Sequence, residues 1–282
     1  MSMLSRYRLL GIAGVMIMGV PLVLIPTQAH GAPAGDFRRP VRTSLDIHPA
    51  GFTSSSASDV NDRGQVIGTA VRVVDSEIGP PRGFVWHHGV RTWLSPLRGG
   101  RGSLPRDINA GGDVAGFCET AAGNPRPCLW HHGRPRDLGT LDGRGTGTAL
   151  ALNDKGEVVG ECETFLHGGQ TRAFIWRRGV LTDLGGAGDR VALGINNRTQ
   201  VIGSVFTSRG TRGFRWHRGV LTDLGTLGGD ESSVSDINDR GQIVGSSTTA
   251  TGARRGFLWQ RGRMVDLGTL PGGTDSAAVA VN

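Results

Sequence analysis

The chain repeats itself, and the period limits what it can fold into. An Asn that opens a turn recurs at Asn61, Asn109, Asn153, Asn196 and Asn238, at intervals of 42–48 residues, and stands again at Asn282. A Trp closes an apolar run in each interval: Trp86, Trp130, Trp176, Trp216 and Trp259. A period of this size marks a solenoid, an array or a propeller, and it has to be settled before any local feature is read.

Each unit reads as four short strands, a to d. Strand a precedes the Asn, as in 234–237, and strand b is the Val/Ile-rich run after it (65–68, 157–160, 242–245). Strand c ends at the Trp (83–86, 173–176, 256–259), and strand d follows (180–184, 220–224, 264–267). Branched and aromatic residues fill these runs and turn residues bound them. Beyond the N-terminal segment no window sustains a helical period. In the Asn-Asp-Arg-Gly turns at 61–64 and 238–241, Asn and Asp bond their own backbone and Gly supplies the positive φ that closes the hairpin. The Trp-x-x-Gly turns at 86–89, 130–133 and 259–262 form a second hairpin in which Gly is the permissive residue.

The expected fold is all-β, a β-propeller of four-stranded antiparallel blades with five complete repeats. One blade cannot cover both its faces, so the blades must stack. A flat β-helix competes, but its repeats are shorter. The repeat domain covers 57–282, with units at about 57–97, 98–141, 142–185, 186–228 and 229–270 and a partial unit at 271–282. Val41–Ile47 can serve as a strand d and 275–282 as a strand a. A five-bladed ring with spare ends, a six-bladed ring with a half blade, and a truncated frame all stay open.

An Arg stands two before the Phe position in every unit: Arg82, Arg126, Arg172, Arg212 and Arg255. An Asp opens the Asp-Leu-Gly run in four of them: Asp137, Asp183, Asp223 and Asp266. A tight c–d hairpin places each Asp diagonal to the Arg on one sheet face, so an Arg–carboxylate pair is expected there. Trp93 takes the Asp place in the first unit and leaves Arg82 without that partner. The alternative is a ring of Arg that binds an anion.

The strings INNRTQVIGS (195–204), RAFIW (172–176), GVLTDLGTLGG (219–229) and NDRGQIVG (238–245) resemble the HAF repeat of bacterial extracellular repeat proteins. The resemblance covers essentially the whole chain after its leader. It implies repeat architecture and export, and supplies no activity, cofactor or site residue. The first unit departs most, with Trp-Leu-Ser-Pro at 93–96, and the second has Cys128 at the Phe position.

Residues 1–31 read as a cleaved signal peptide: Arg6 and Arg8, then an apolar run at 9–25, then small residues at Ala29, Gly31 and Ala32. Cleavage fits after Ala29 or Gly31. A retained anchor is the alternative, but the run contains Pro21 and is marginal for a span. The segment 32–56 is a lead-in rich in Pro, Gly and Ser. No C-terminal apolar tail is visible, so the mature chain is expected to be extracellular, released and monomeric, with no membrane span.

The net charge is +7, and about +5 without Arg6 and Arg8. Lys155 is the only lysine. The basic surface is either a solvated one or an attraction for an anionic cell-envelope polymer or extracellular nucleic acid, without sequence-specific nucleic-acid binding. Export permits disulfides. Cys118 on strand b and Cys128 on strand c face each other across a symmetric hairpin, so they are expected to pair and to leave Cys162 free; three buried thiols are the alternative.

No catalytic signature is present, and no metal or cofactor is expected. His87, His88, His131, His132 and His217 cluster at the Trp-x-x-Gly turns, but two units lack them, which favours exposed turn residues over a metal rim. Glu119 and Glu163 occupy equivalent places in neighbouring units, and paired carboxylates suit glycosidase chemistry. Trp93 is the one Trp not committed to strand c, which argues against a carbohydrate lectin. Candidate binding residues are therefore Trp93, Glu119 and Glu163. The b–c loops vary in length, which points to their rim as the binding side. The leading function is a secreted binding scaffold whose partner is an extracellular protein or envelope polymer. The alternative is an extracellular polysaccharide hydrolase or lyase.

Overall fold

The structure, a computed structural model, describes residues 50–165 and 169–282. The signal-peptide segment, most of the lead-in and the strand expected at Val41–Ile47 lie outside the described residues. Every regular element described is a β-strand. No helix among the described residues is long and apolar enough to cross a membrane.

The strands form five four-stranded meanders in chain order. Blade 1 is Ser54–Val60, Val66–Val71, Arg82–His87 and Val90–Trp93. Blade 2 is Ser103–Ile108, Val114–Glu119, Pro125–His131 and Arg134–Asp137. Blade 3 is Gly147–Leu152, Val158–Thr164, Gln170–Arg177 and Val180–Asp183. Blade 4 is Arg190–Ile195, Gln200–Thr207, Gly210–His217 and Val220–Asp223. Blade 5 is Gly228–Ile237, Ile243–Thr249, Arg254–Gln260 and Arg263–Asp266. Blade 1 therefore begins at Ser54, inside the segment read as lead-in. Its b–c loop adds a small ribbon, Val73–Val74 with Glu77–Ile78, that the spacing did not reveal.

Alternation along the strands builds the joints between blades. In strand b the first branched residue faces the preceding blade and the next faces the following one. Val158, Cys162, Phe174 and Trp176 of blade 3 pack on Ala115, Leu129 and Leu138 of blade 2. Val159, Ile175 and Leu184 of blade 3 pack on Val201, Phe214 and Trp216 of blade 4. Trp130, Trp176, Trp216 and Trp259 are at most 6% exposed, which is the burial the strand-c tryptophans were expected to have, and Trp86 is half-buried. Burying a side chain of this kind contributes roughly 1.5–3 kcal/mol, so the stacked joints hold the fold together.

Each strand a carries a bulge three residues before its Asn, as between Ala149 and Ala151. The bulge brings the strand-a backbone against the glycine of strand b. A Cβ on Gly160 would lie 2.0 Å from the Thr148 carbonyl oxygen, and on Gly116 2.0 Å from that of Leu104. That approach explains the Gly that ends every Val-x-Gly run.

The segment 275–282, expected as a strand a, forms no regular strand but runs beside blade 5, because no strand b pairs with it. Ala278 N donates to Gly245 O (3.2 Å), Val281 N to the Asp236 carboxylate (2.8 Å), and Asn238 Nδ2 to Asn282 O (3.0 Å). Leu267 is 54% exposed, whereas its counterparts Leu94, Leu138, Leu184 and Leu224 are at most 6% exposed.

Cys118 and Cys128 are joined by a disulfide with Cα atoms 5.6 Å apart. They are diagonal rather than opposite: Cys118 pairs with Arg126 and Cys128 with Gly116. Blades 1, 4 and 5 place a Phe ring over this glycine, so the smaller Cys128 leaves room for the bridge. Cys162 is free and fully buried, and burial pushes its thiol up to about 12. A buried, protonated thiol is a poor nucleophile. Ellman's reagent at pH 8 is therefore expected to find no reactive thiol in the folded protein and one after unfolding without reductant; reaction of the native chain would mean that the joint between blades 2 and 3 opens.

Among the described residues the Arg–Asp pairs form in three blades. Arg172 Nε and Nη2 both reach Asp183 Oδ2 (3.0 and 2.8 Å), and Nη1 reaches Gly186 O. Arg212 binds Asp223 at 3.0 Å, and Arg126 meets Asp137 more loosely at 3.4 Å. The pair expected in blade 5 is absent: Arg255 turns to the Thr274 carbonyl of the C-terminal segment, and Asp266 caps Gly268 N. Asp137, Asp183 and Asp223 each accept the amide two residues on, so the turn is their common role and the Arg is a second partner. In blade 1, Arg82 lies over the Trp93 ring, 4.9 Å from its centroid. Burial grades these pairs. Arg172→Ala is expected to cost about 2 kcal/mol in urea unfolding, and Arg212→Ala, whose partners are solvated, under about 1 kcal/mol.

Candidate functional site

Two concave surfaces lie on the rim formed by the a–b and c–d turns. This is the opposite rim from the one that loop-length variation indicated. One is the axial mouth, a cavity of about 370 Å³ lined by the Asn and its neighbours from all five blades. The other is a groove of about 260 Å³ between blades 3 and 4.

The mouth is built by an asparagine ladder. Asn61 Nδ2 donates to Asn109 O (2.9 Å), Asn109 to Asn153 O (3.2 Å), Asn153 to Asn196 O (3.1 Å) and Asn196 to Asn238 O (2.8 Å). The same side chains close their own turns, as Asn153 Oδ1 does by accepting Lys155 N and Glu157 N. The spacing revealed the turn; that each Asn also ties its blade to the next it did not reveal. One residue further out a second ring forms. Asp154 accepts Ala110 N, Asn197 accepts Asp154 N, and Asp239 accepts Asn197 N, while Asn197 Nδ2 reaches both carboxylates. Asp59, Asp107 and Asp236 make a third set of cross-blade bonds, to Ile108 N, Leu152 N and Val281 N. Burial raises the Asp107 carboxyl above its ordinary range and the neighbouring Asp59 adds to the rise, while the Leu152 amide opposes it.

The groove has the opposite character. Lys155 and Arg198 come from a–b turns, and Arg177, His217 and Arg218 from the ends of c–d hairpins. Thr199 and Trp216 complete it, with the Thr199 hydroxyl committed to Glu157 Oε2 (2.7 Å). Burial, with Arg215 and Arg218 adding, holds His217 below the usual histidine range. Arg218 has φ +52° and precedes Gly219 at +84°; His88, His132, Arg178 and Arg261 repeat the pattern. Two consecutive positive φ values define the hairpin turn that favours Asn-Gly. Basic residues and His hold this strained place in all five blades.

The residues singled out from the sequence lie elsewhere. Glu163 accepts the Thr146 hydroxyl (3.0 Å), and Glu119, 8% exposed, packs its carboxylate against Gly102. Neither lines the mouth or the groove. Trp93 stacks with Phe52 at 5.2 Å and meets Phe84 edge-on. His131 Nδ1 lies 2.7 Å from Asp113, and His87 Nε2 lies 3.1 Å from Arg63 O. No group of three or more side chains able to hold a metal ion is formed among the described residues. Glu161, which the sequence reading passed over, is the buried acid of blade 3: 7% exposed, its carboxyl pushed up to about 7 by burial and by Glu163 against the pull of Arg106.

No protein-family model and no curated protein matches the sequence. Among solved structures the chain is similar to the β-propeller domain of the trilobed protease from Pyrococcus furiosus, described as having an open velcro topology (10% identity, TM-score 0.52, 76% of this chain and 72% of that one). It is also similar to a structure from an analysis of two prolyl endopeptidases (10% identity, TM-score 0.57, 79% of this chain and 36% of that one). A further match is TolB from Acinetobacter baumannii (14% identity, TM-score 0.47, 73% of this chain); the chain spans about half, 51%, of that protein's length. The chain is thus a β-propeller.

Proposed function

We propose that this protein is an exported binding scaffold whose ligand docks on the rim of a–b and c–d turns. The leader at 1–31 and the resemblance to the HAF repeat support export. One observation supports the choice of rim: Asp154 and Asp239 are spent on cross-blade hydrogen bonds, while Lys155, Arg177, Arg198 and Arg218 are exposed around the groove. The hydrolase alternative has no comparable support, because neither Glu119 nor Glu163 lines the mouth or the groove.

The full chain, tagged at its C-terminus and expressed in a bacterial host, is expected in the medium with its N-terminus just after Ala29 or Gly31. It is expected to be retained by cell-envelope fractions, and neutralising turn-rim cations should reduce that retention while equal changes on the b–c rim should not. An uncleaved, cell-held chain, or retention indifferent to the turn rim, would sink the reading.

A further inference from the structure

We infer that the groove between blades 3 and 4 binds a linear phosphate-bearing polymer. This deepens the proposed scaffold function, on which it rests, by naming its ligand class.

The first argument is uncompensated charge. Among the described residues no carboxylate lies within ion-pair distance of Lys155, Arg177, Arg198 or Arg218. The nearby acids have other partners. Glu157 Oε2 receives Asn153 Nδ2 (2.7 Å) and the Thr199 hydroxyl (2.7 Å), and Asp154 receives Ala110 N and Asn197 Nδ2. The ladder therefore pulls the negative groups inward and leaves the positive ones without acidic partners.

The second argument is a contrast within the repeat. Arg63 and Arg240 hold the same turn position as Lys155 and Arg198. Their guanidinium groups reach the next unit, Arg63 Nη1 to Gly111 O and Arg240 Nη1 to Asn282 O. Among the described residues Lys155 and Arg198 make no such bond and line the groove instead. The same place in the fold thus braces blades 1 and 5 and presents charge at blades 3 and 4.

The ligand class follows from charge density and shape. Four cations around about 260 Å³ call for several negative oxygens close together. Arg forks match phosphate oxygens and Lys serves as a point charge. The cations come from two turns of each kind, two on each side of the joint, which suits a chain threaded across it. A bilayer headgroup would instead require a broad face.

The test uses isothermal titration of the mature chain with linear inorganic polyphosphate. Binding is expected, with orthophosphate weaker and polyglutamate of matched charge weaker still. The triple variant Lys155→Ser, Arg198→Ser, Arg218→Asn, which keeps the turn, is expected to lose roughly tenfold or more in affinity, and the slope of log affinity against log salt should shrink by about two. A control triple on the opposite rim, Arg101→Ser, Arg144→Ser, Arg209→Ser, removes equal charge and should leave affinity near the parent value. Thermal melts report whether either variant is folded, and a single Arg177→Ser variant replaces the triple if it is not. No binding of polyphosphate, equal loss in the control, equal binding of polyglutamate, or tighter binding to phosphatidylglycerol vesicles would each overturn the assignment. These results are independent of export, so failure here and failure of the scaffold reading can be told apart.

Discussion

Replacing Asn153 with Ala is expected to lower the unfolding free energy by about 4 kcal/mol. The side chain is 4% exposed and makes four hydrogen bonds: to Glu157 Oε2, to Asn196 O, and from the amides of Lys155 and Glu157. Ala strands the Lys155 and Glu157 amides, while Glu157 Oε2 and Asn196 O each keep one bond from Thr199, and unpaired groups cost more than the net worth of the bonds they lose. For a domain of this size the melting temperature should fall by about 8–16 °C. Asn153→Asp separates the two roles of the side chain. It keeps the acceptor that closes the turn, loses both donors, and sets a second carboxylate against Glu157. At neutral pH it should cost at least as much as Ala. If urea unfolding places the Asn153→Asp variant within about 1 kcal/mol of the parent, the ladder does not hold blades 3 and 4 together. Asn61, half-buried at the start of the ladder, should be less sensitive.

That asparagine also shows where the sequence stops being informative. Its spacing set the period, and its chemistry set the turn, because an Asx turn is a local matter of a few bonds. The bond to the next blade joins residues 43 positions apart and leaves no mark beyond the repeat itself. Strand order and the tryptophan joints were legible because alternation in strands b and c decides which face is buried. The Arg255–Asp266 pair failed for a tertiary reason: Arg255 turns to the Thr274 carbonyl of the segment after blade 5. Loop length pointed to the b–c rim, whereas the mouth and the groove come from ring geometry and from the a–b and c–d turns, which vary little in length. The sequence shows His88 and His132 as exposed turn residues but not the positive φ that they share with Arg178, Arg218 and Arg261, because the type of turn fixes it and no Asn marks the place.

Glu161→Gln is expected to stabilise the protein by roughly 2–3 kcal/mol at pH 8 and to change little at pH 4. Its place after the strand-b glycine is neutral in every other blade: Thr69, Phe117, Ser204 and Ser246. In blade 3 it faces the joint with blade 4 on the same side as Val159, with Glu163 two residues on. Burial is the main cause of its shift, Glu163 adds to it, and Arg106 offsets part, so the carboxyl rises to about 7. The folded pKa lies above the unfolded one, so folding favours the protonated form. The protonated acid leaves stability intact below the unfolded value, and ionisation erodes stability as pH rises toward and through about 7. Gln keeps the size and removes the ionisation. Urea unfolding from pH 4 to pH 8 should therefore show the parent losing stability with a slope that the variant partly abolishes. A residual slope of the same sign belongs to Asp107, whose carboxyl is raised by burial and by Asp59. An unchanged slope in the variant would mean that Glu161 is solvated in the native protein and that the joint between blades 3 and 4, which also forms the walls of the basic groove, is looser than its packing implies.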